Sequence, residues 1–340
     1  MIAHIGGHAN ERSGDNRRVN TLRPAPTRIP LSPLSNADLH CHSRYSDGTL
    51  TPVELATRAK QNGVALWALT DHDELAGLPE AAAAARQLDL PFLPGVEVSV
   101  SFAGETVHIV GLGIDPSNDA LVQGLADTRR GRRARAQAMA DGLAQVGLKG
   151  ALAGALHYVG NPQLVSRTHF ARWLVETGVC PDTGSVFRRY LTEGKPGFVA
   201  HQWATLGDAV RWITGAGGVA VIAHPARYRL SANQEFALFS EFKGHGGQAV
   251  EVVTSSHGQA DQLKYADTAR AFELLASRGS DFHAPGESRL DLGSLPDLPA
   301  QLQPVWMALT HRVQHADDGV DGVDGQNGAD RHPPKLAARP

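Results

Sequence analysis

The sequence lacks several features that would assign it to a specialised class of protein. Its 340 residues include only two cysteines, Cys41 and Cys180, which are too few for a disulfide framework and suit a reducing, cytoplasmic compartment. No run approaches the ~20 apolar residues that span a bilayer, so we expect no membrane partner. Lysine and arginine total 32 against 35 acidic residues, so there is no global positive field for nucleic acid. An anionic substrate held by a few local cations or metal ions stays open.

The composition divides the chain into segments. Residues 1–36 are rich in Arg, Asn, Gly and Pro and lack the apolar stretch of a secretory signal, and residues 310–340 have little to bury, so both are predicted to be disordered. Residues 37–116 and 200–309 alternate short apolar runs with helical patterns, which is typical of βα units. Residues 117–199 read as helices without strong strands. We therefore predict an α/β barrel with an inserted helical subdomain.

Local signals indicate where several elements begin and end. Thr51, Pro52 and Glu54 form the N-cap, first position and capping box of a helix. Towards the other end, a helical pattern is expected from Gln259 to Ser277, and the next strand is expected to end in GSDFH, residues 279–283. The last three residues of that strand include two groups that can bind a metal ion.

Groups that can bind metal or transfer protons recur where the apolar runs end. Side chains alternate along a strand, so in DLHCH His40 and His42 share a face with Asp38 while Cys41 points into the core. In barrels of βα units the carboxyl ends of the strands meet at one mouth. Six imidazoles and three carboxylates exceed the needs of one acid–base pair and suit two or three divalent ions. The candidate ligands are His40, His42, Asp47, His72, Glu97, His108, His224, Asp281 and His283.

Other polar residues allow more than one interpretation. Asp38, Asp71 and Asp73 are expected to orient the ligands, with direct metal contact as the alternative. The arginine-rich stretch RRGRRARAQ, residues 129–137, is either a solvated helix face, as charge runs usually are, or a nucleic-acid contact. His169 follows Arg167 by two residues and serves either in phosphate binding or in helix packing.

The sequence resembles the PHP (polymerase and histidinol phosphatase) superfamily of metal-dependent phosphoesterases. The resemblance covers residues 37–306 and rests on the segments DLHCHSRYSDGT, ALTDHDE, PGVEVS, VHIVGLGID, IAHPARY and GSDFH. Within the superfamily it is most similar to bacterial 3′,5′-nucleoside bisphosphate phosphatases, some of which are also 5′→3′ exoribonucleases (ribonuclease AM). That narrower match rests on SRTHFARWLVETG, YLTEGKPGFV, HQWATLGDAV and HPARYRL.

The resemblance implies a fold and a set of roles. The fold is a distorted (β/α)7 barrel with a helical insertion. The nine candidate ligands bind up to three ions, with Mn²⁺ favoured over Fe²⁺, Zn²⁺ or Mg²⁺, and Glu97 is the bridging ligand. Glu97, Asp47 and Asp281 hold the ions that convert water into the attacking hydroxide. The residues expected to bind substrate phosphate are Ser166, Arg167, Lys195 and Arg227.

The expected reaction removes the 3′-phosphate from a nucleoside 3′,5′-bisphosphate and leaves the 5′-monophosphate. Short 5′-phosphorylated RNA is a second candidate substrate of the same site, and no DNA specificity is expected. One alternative is another phosphatase of the superfamily, for example one acting on histidinol phosphate, which would not require Ser166, Arg167 and Lys195. A non-catalytic metal-binding scaffold is the remaining alternative, although such a scaffold should have lost ligands and this sequence has all nine.

Overall fold

Seven strands form one sheet, in sequence order, within the computed structural model, which describes residues 30–318. The disorder expected for residues 1–29 and 319–340 lies outside the described residues. The strands are β1 (Ala37–Asp38), β2 (Leu66–Leu69), β3 (Phe92–Phe102), β4 (Glu105–Leu112), β5 (Val219–Ile222), β6 (Ala249–Thr254) and β7 (Leu275–Gly279).

The sheet curls until its first and last strands meet. The N–H of Leu39 donates to the carbonyl of Arg278 at 3.1 Å, and the N–H of His42 donates to the carbonyl of Phe282 at 2.8 Å. These bonds join the segments that follow β1 and β7 and nearly close the barrel. The predicted distorted (β/α)7 barrel is confirmed.

One strand of the barrel runs against the others. β4 pairs antiparallel with both β3 and β5, and the remaining neighbours are parallel. The reversal is made by a tight turn at Ala103 and Gly104, both with positive φ (48° and 85°), a conformation that favours glycine. As a result the start of β4, rather than its end, lies at the mouth formed by the carboxyl ends of the parallel strands.

The helices cover the outside of the barrel and build the insertion. The N-terminal cap of the first helix is as predicted, with both capping-box bonds between Thr51 and Glu54 present. In the described residues no helix is both long and apolar enough to cross a membrane. The α-helices are α1 (Pro52–Gln61), α2 (Leu78–Gln87), α3 (Asp119–Arg129), α4 (Arg132–Gln145), α5 (Ala151–Leu156), α6 (Arg167–Glu176), α7 (Thr183–Val186), α8 (Leu206–Gly215), α9 (Ala232–Gly244), α10 (Gln259–Ala271) and α11 (Val305–Ala308).

The helix expected to reach Ser277 ends earlier. α10 stops at Ala271, and the N–H of Leu274 turns back to the carbonyl of Ala269 at 2.8 Å. Glu273 has φ = 52°, the left-handed conformation that terminates helices. The chain then enters β7, which ends at Gly279, the first residue of GSDFH, rather than at the end of that motif. Arg278 is buried in this strand and interrupts its apolar pattern, so the sequence pattern does not reveal the strand.

The segment between β4 and β5 contains two kinds of helix. α3 buries Leu121 and Leu125 in the large core of the barrel. α4, α5 and α6 instead share a separate small core, in which Met139, Leu143 and Phe170 are buried together. The boundaries 117 and 199 of the inserted subdomain stay a prediction.

The expected limits of the disordered ends are wrong where the structure describes them. Gln314 exchanges backbone hydrogen bonds with Phe92 at 2.8 and 3.0 Å, and Val313 is buried. At the other end, the indole N–H of Trp306 donates to the carbonyl of Ser32 at 2.9 Å. Parts of residues 31–36 and 310–318 are thus packed on the barrel, because a few apolar side chains and backbone bonds suffice to fix a short polar segment.

The seam between the first and last strands predicts a sensitive glycine. A Cβ on Gly279 would lie 2.2 Å from Cβ of His40. Gly279→Ala should therefore destabilise the protein by about 1–3 kcal/mol through overpacking, as measured by chemical denaturation. Gly215→Ala, at a helical glycine with no atom within 4 Å of the new Cβ, is the control and should have no destabilising effect. Equal stability of the two variants would contradict close packing at this seam.

Candidate metal centre

The carboxylate of Glu97 lies at the centre of the mouth of the barrel. It projects from the middle of β3 and is fully buried. Its Oε2 lies 3.3 Å from Nε2 of His40 and 3.2 Å from Nε2 of His42. Oδ1 of Asp281 lies 3.2 Å from the same nitrogen of His42 and 3.5 Å from that of His40. These four residues from β3 and from the segments after β1 and β7 form a first group of donors.

The other oxygen of Glu97 faces a second group. Its Oε1 lies 2.9 Å from Nδ1 of His108 and 3.0 Å from Nε2 of His224. His108 reaches the mouth because β4 is reversed, and it pairs in register with Ser99 of β3. His224 follows β5 and has φ = 28°, an uncommon value for a non-glycine residue, which turns its ring inward.

A third group surrounds Asp47. Its Oδ1 lies 3.3 Å from Nε2 of His283 and 3.7 Å from Nε2 of His72. Nδ1 of His72 is 2.9 Å from Oε2 of Glu97, so this group adjoins the first. We call Asp47, His72 and His283 the Asp47 group. All nine residues predicted from the sequence as ligands therefore converge at one mouth.

The donor atoms fit divalent cations better than they fit one another. Nε2 of His40 and Nε2 of His42 face each other at 3.1 Å, which suits a shared cation. Oε2 of Glu97, Oδ1 of Asp47 and Nδ1 of His108 are buried and have no hydrogen bond among the described residues. Buried polar atoms are rarely left without a partner. Imidazole nitrogens and carboxylate oxygens are the donors that Mn²⁺, Fe²⁺ and Zn²⁺ accept.

The carboxylates are held in their charged form. Burial alone would raise the pKa of Glu97, but the imidazoles of His72, His108 and His40 hold it well below its usual value. The pKa of Asp47 is likewise held well below its usual value, against burial, by His72 and His283. Ionised carboxylates are available as ligands throughout the neutral range.

The imidazoles divide into two classes. Burial opposes charge on His40, but Glu251, Glu97 and Asp281 raise its pKa well above the ordinary value. Burial and the nearby charge of Arg227 instead lower the pKa of His224 to about 3. The carboxylates next to His40 therefore favour a positive charge on or beside its ring. A proton and a metal ion compete to supply that charge.

Glu251 is a functional residue that the sequence-based prediction missed. Oε1 of this buried residue of β6 accepts a hydrogen bond from Nδ1 of His40 at 2.7 Å, and its Oε2 accepts the backbone N–H of His224 at 2.6 Å. A carboxylate behind a ligating histidine fixes the tautomer and the orientation of the ring. The signal was present in the sequence, since a glutamate within the apolar run AVEVV requires a polar partner.

Asp38 and Asp71 support the segments that carry the candidate ligands. Asp38 accepts the N–H of Ser280 at 2.8 Å, and Asp71 accepts the N–H of Ser43 at 2.7 Å. Ser280 precedes Asp281. Neither carboxylate belongs to the three donor groups, in agreement with the orienting role expected for both.

The four predicted phosphate-binding residues are only partly brought together. Ser166 and Arg167, at the start of α6, line a cavity beside the Asp47 group, and Arg227 lines it as well. Arg227 also contacts Oδ2 of Asp281 at 2.6 Å. Lys195 is exposed and does not line this cavity. His169 is buried and accepts the N–H of Ser166 at 3.0 Å, so the helix-packing alternative describes its contacts.

The arginine-rich stretch has an inner and an outer side. Arg132 and Arg135 line the cavity, whereas Arg133 is exposed. The guanidinium of Arg135 lies over the ring of Trp203 and donates from Nε to the carbonyl of Val199 at 3.0 Å. Burial and the neighbouring arginines lower the pKa of Arg135 to about 9, so it stays charged at neutral pH. Arg132 and Arg135 are three residues apart, a spacing that places both side chains on one face of the helix.

Comparison with known proteins identifies the family. Residues 38–148 match the model of the PHP domain. The chain is 53% identical to a 3′,5′-nucleoside bisphosphate phosphatase of Chromobacterium violaceum over 280 residues, which is 82% of this chain and 98% of the relative. The chain belongs to the PHP family. It is also 40% identical over 271 residues, 79% of this chain and 92% of the relative, to the 5′–3′ exoribonuclease Rnm of Escherichia coli.

Solved structures agree with this PHP assignment. An amidohydrolase from C. violaceum, solved with sulfate and without metal, has a TM-score of 0.81 and 52% identity and covers 84% of this chain and 99% of that one. A structure from Bifidobacterium adolescentis, assigned as a metal-dependent phosphoesterase, has a TM-score of 0.69 and 28% identity and covers 81% and 95%. PHP phosphoesterases are metal-dependent, and the donor groups of this PHP chain fit that property.

Competition between protons and metal predicts a pH dependence. The pKa of His40 and the pKa of His72 are raised above the ordinary imidazole value, so each ring keeps its proton to a higher pH than a free imidazole does, and a ring must lose that proton to bind metal. Raising the pH from about 6 to about 8 should therefore tighten Mn²⁺ binding, with release of protons, as measured by calorimetry in buffers of different ionisation enthalpy. Affinity that is independent of pH would contradict a raised pKa for these two histidines.

Proposed function

We propose that the protein is a hydrolase that removes the 3′-phosphate from nucleoside 3′,5′-bisphosphates and leaves the 5′-monophosphate. The observation that carries this proposal is the pairing of a carboxylate–imidazole cluster around Glu97 with a cavity lined by Arg135, Arg167 and Arg227. Hydrolysis of a phosphate ester needs cations at the reacting phosphate, and a second phosphate needs cations outside the metal site. The similarity to the C. violaceum phosphatase supports the same substrate class.

We propose that up to three divalent ions, with Mn²⁺ favoured, bind at the mouth. Glu97 would bridge two of them, because its two oxygens face different groups of imidazoles. Asp47 and Asp281 would be the other carboxylate ligands. Bound ions of this kind supply a nucleophilic hydroxide and charge for the phosphoryl oxygens.

The residues of the chain then have separate tasks. Arg167 and Arg135 bind the phosphate that is not transferred, and Ser166 adds a hydroxyl donor at the start of α6. Arg227, which contacts Asp281, reaches the oxygens of the reacting phosphate and offsets their charge. Neither Arg135 nor Arg167 has a carboxylate within salt-bridge distance among the described residues, so both cations are available to an anion. The exposed Lys195 joins them only after its side chain turns inward.

A second substrate uses the same site. Rnm exoribonuclease is 40% identical to the chain, and this similarity favours short 5′-phosphorylated RNA. The 5′-phosphate of the RNA would occupy the arginine site while the next phosphodiester lies at the metals.

The two cysteines are both unpaired thiols, which supports the proposed cytoplasmic location.

A substrate panel tests the proposed function. The Mn²⁺-loaded protein should hydrolyse 3′-phosphoadenosine 5′-phosphate with a kcat/KM at least ~100-fold above that for a nucleoside 3′-monophosphate or histidinol phosphate, because remote binding energy accelerates the reaction. Short 5′-phosphorylated RNA should also react. A preference for histidinol phosphate would favour the alternative phosphatase, and no turnover of any substrate in a metal-loaded sample would favour the scaffold.

The arginine site predicts a selective loss. Arg135→Gln should lower kcat/KM for the bisphosphate by about 10–100-fold, the effect of one charge-assisted hydrogen bond. Turnover of a nucleoside 3′-monophosphate, which lacks the second phosphate, should change little. Arg133→Gln, at an exposed position of the same helix, is the matched control. An equal loss on both substrates would show that Arg135 does not bind the second phosphate.

A further inference from the structure

The inserted segment contacts the Asp47 group directly. The hydroxyl of Ser166 donates to Oδ2 of Asp47 at 3.2 Å, while Oδ1 of the same carboxylate faces His72 and His283. A carboxylate held through one oxygen presents the other in a fixed direction. Ser166 therefore orients Asp47 from outside the barrel.

A second contact reaches the residue after His72. Arg132, at the start of α4, forms a buried ion pair with Oδ2 of Asp73 and donates to Oγ of Ser99 at 3.2 Å. Asp73 has φ = 49° and accepts the N–H of Ser99 at 2.8 Å, so its backbone is fixed in an uncommon conformation directly after His72. Both charged side chains are at most 5% exposed. The guanidinium of Arg132 therefore helps to hold His72 in position.

A third contact reaches the loop after His283. Arg172 of α6 binds Glu287 through two parallel bonds, Nε to Oε1 at 2.9 Å and Nη2 to Oε2 at 2.8 Å. In the same loop the hydroxyl of Ser288 accepts the N–H of His283 at 2.8 Å. The bidentate geometry specifies direction as well as charge. Each member of the Asp47 group, or a residue close to it in the chain, is thus supported by at least one residue of the insertion.

The two donor groups around Glu97 are supported differently. Their outer partners, Glu251 and the hydroxyl of Tyr228, come from the barrel and its loops. Among the described residues, no hydrogen bond joins residues 119–199 to His40, His42, Glu97, His108, His224 or Asp281. The insertion therefore contacts one donor group and leaves the other two to the barrel.

We propose that the insertion assembles the third metal site, and that Arg132 and Arg172 are positioning residues for the ion bound by Asp47, His72 and His283. The inference deepens the proposed three-ion function and rests on it. Docking of the insertion and affinity for this ion are then thermodynamically linked, so each stabilises the other. The part of the proposed substrate site that lies on the insertion, Arg135, Ser166 and Arg167, is completed together with the third ion.

Metal binding measures this linkage without any substrate. The full-length protein, freed of metal, is titrated with Mn²⁺ and the bound ions are counted by equilibrium dialysis. Arg132→Gln and Arg172→Gln should each raise the Kd of one of three ions by about 10–100-fold, the usual effect of removing a partner of a metal ligand, and leave the other two within ~2-fold. Arg133→Gln and Arg211→Gln, which remove exposed arginines on α4 and α8, are the controls and should bind like the unaltered protein.

A double-mutant comparison identifies which ion is affected. Asp47→Asn should remove the third ion, and adding Arg172→Gln to it should have no further effect on the remaining two. A uniform weakening of all three ions, or none, in folded variants would overturn the inference. If Arg132→Gln does not fold, the result for Arg172→Gln decides alone. Fewer than three ions on the unaltered protein would overturn the three-ion assignment and this inference together, whereas failure of the proposed substrate would leave the ion count unchanged.

Discussion

A fully buried carboxylate that faces five imidazole rings is the interaction on which the rest of the structure depends. The oxygens of Glu97 lie between 2.9 and 3.3 Å from nitrogens of His40, His42, His72, His108 and His224. Within residues 30–318, Oε2 of Glu97 and Nδ1 of His72 and of His108 have no hydrogen bond, and burying them unpaired would cost several kcal/mol in total, at about 1–3 kcal/mol each. Divalent cations held by these imidazoles and carboxylates would remove that cost and would supply the charge that hydrolysis of a phosphate ester requires.

The barrel meets this constraint by bringing distant segments of the chain to one mouth. Parallel strands deliver their carboxyl ends, and the reversed β4 delivers its start, so His108 joins the others despite its place near the beginning of a strand. Residues that follow β5 and β7, His224 and Asp281, have positive φ and turn inward. The large apolar core beneath the mouth holds these uncommon conformations in place.

Much of the site could be predicted from the sequence, because His, Asp and Glu are common side-chain ligands of divalent ions and recur here where the predicted strands end. The reversal of β4 could not be predicted, since an apolar run has no direction. β7 was missed because the buried Arg278 interrupts its apolar pattern. The place of Glu251 in AVEVV indicates a buried polar residue, but its partners His40 and His224 come from distant segments and only the fold identifies them. The inward side of Arg132 and Arg135 depends on how α4 docks, which is tertiary information. The exposure of Lys195, which is expected at the substrate site, could not be predicted, because it depends on how the loop after α7 packs.

The most direct test of a bridging Glu97 is anomalous diffraction from crystals of the protein loaded with Mn²⁺. Peaks are expected at the mouth in which Oε1 and Oε2 of Glu97 contact different ions, about 3.5–4 Å apart as in other two-metal sites, and a further peak is expected beside Asp47. Peaks that leave both oxygens of Glu97 without a metal contact would contradict the bridging role.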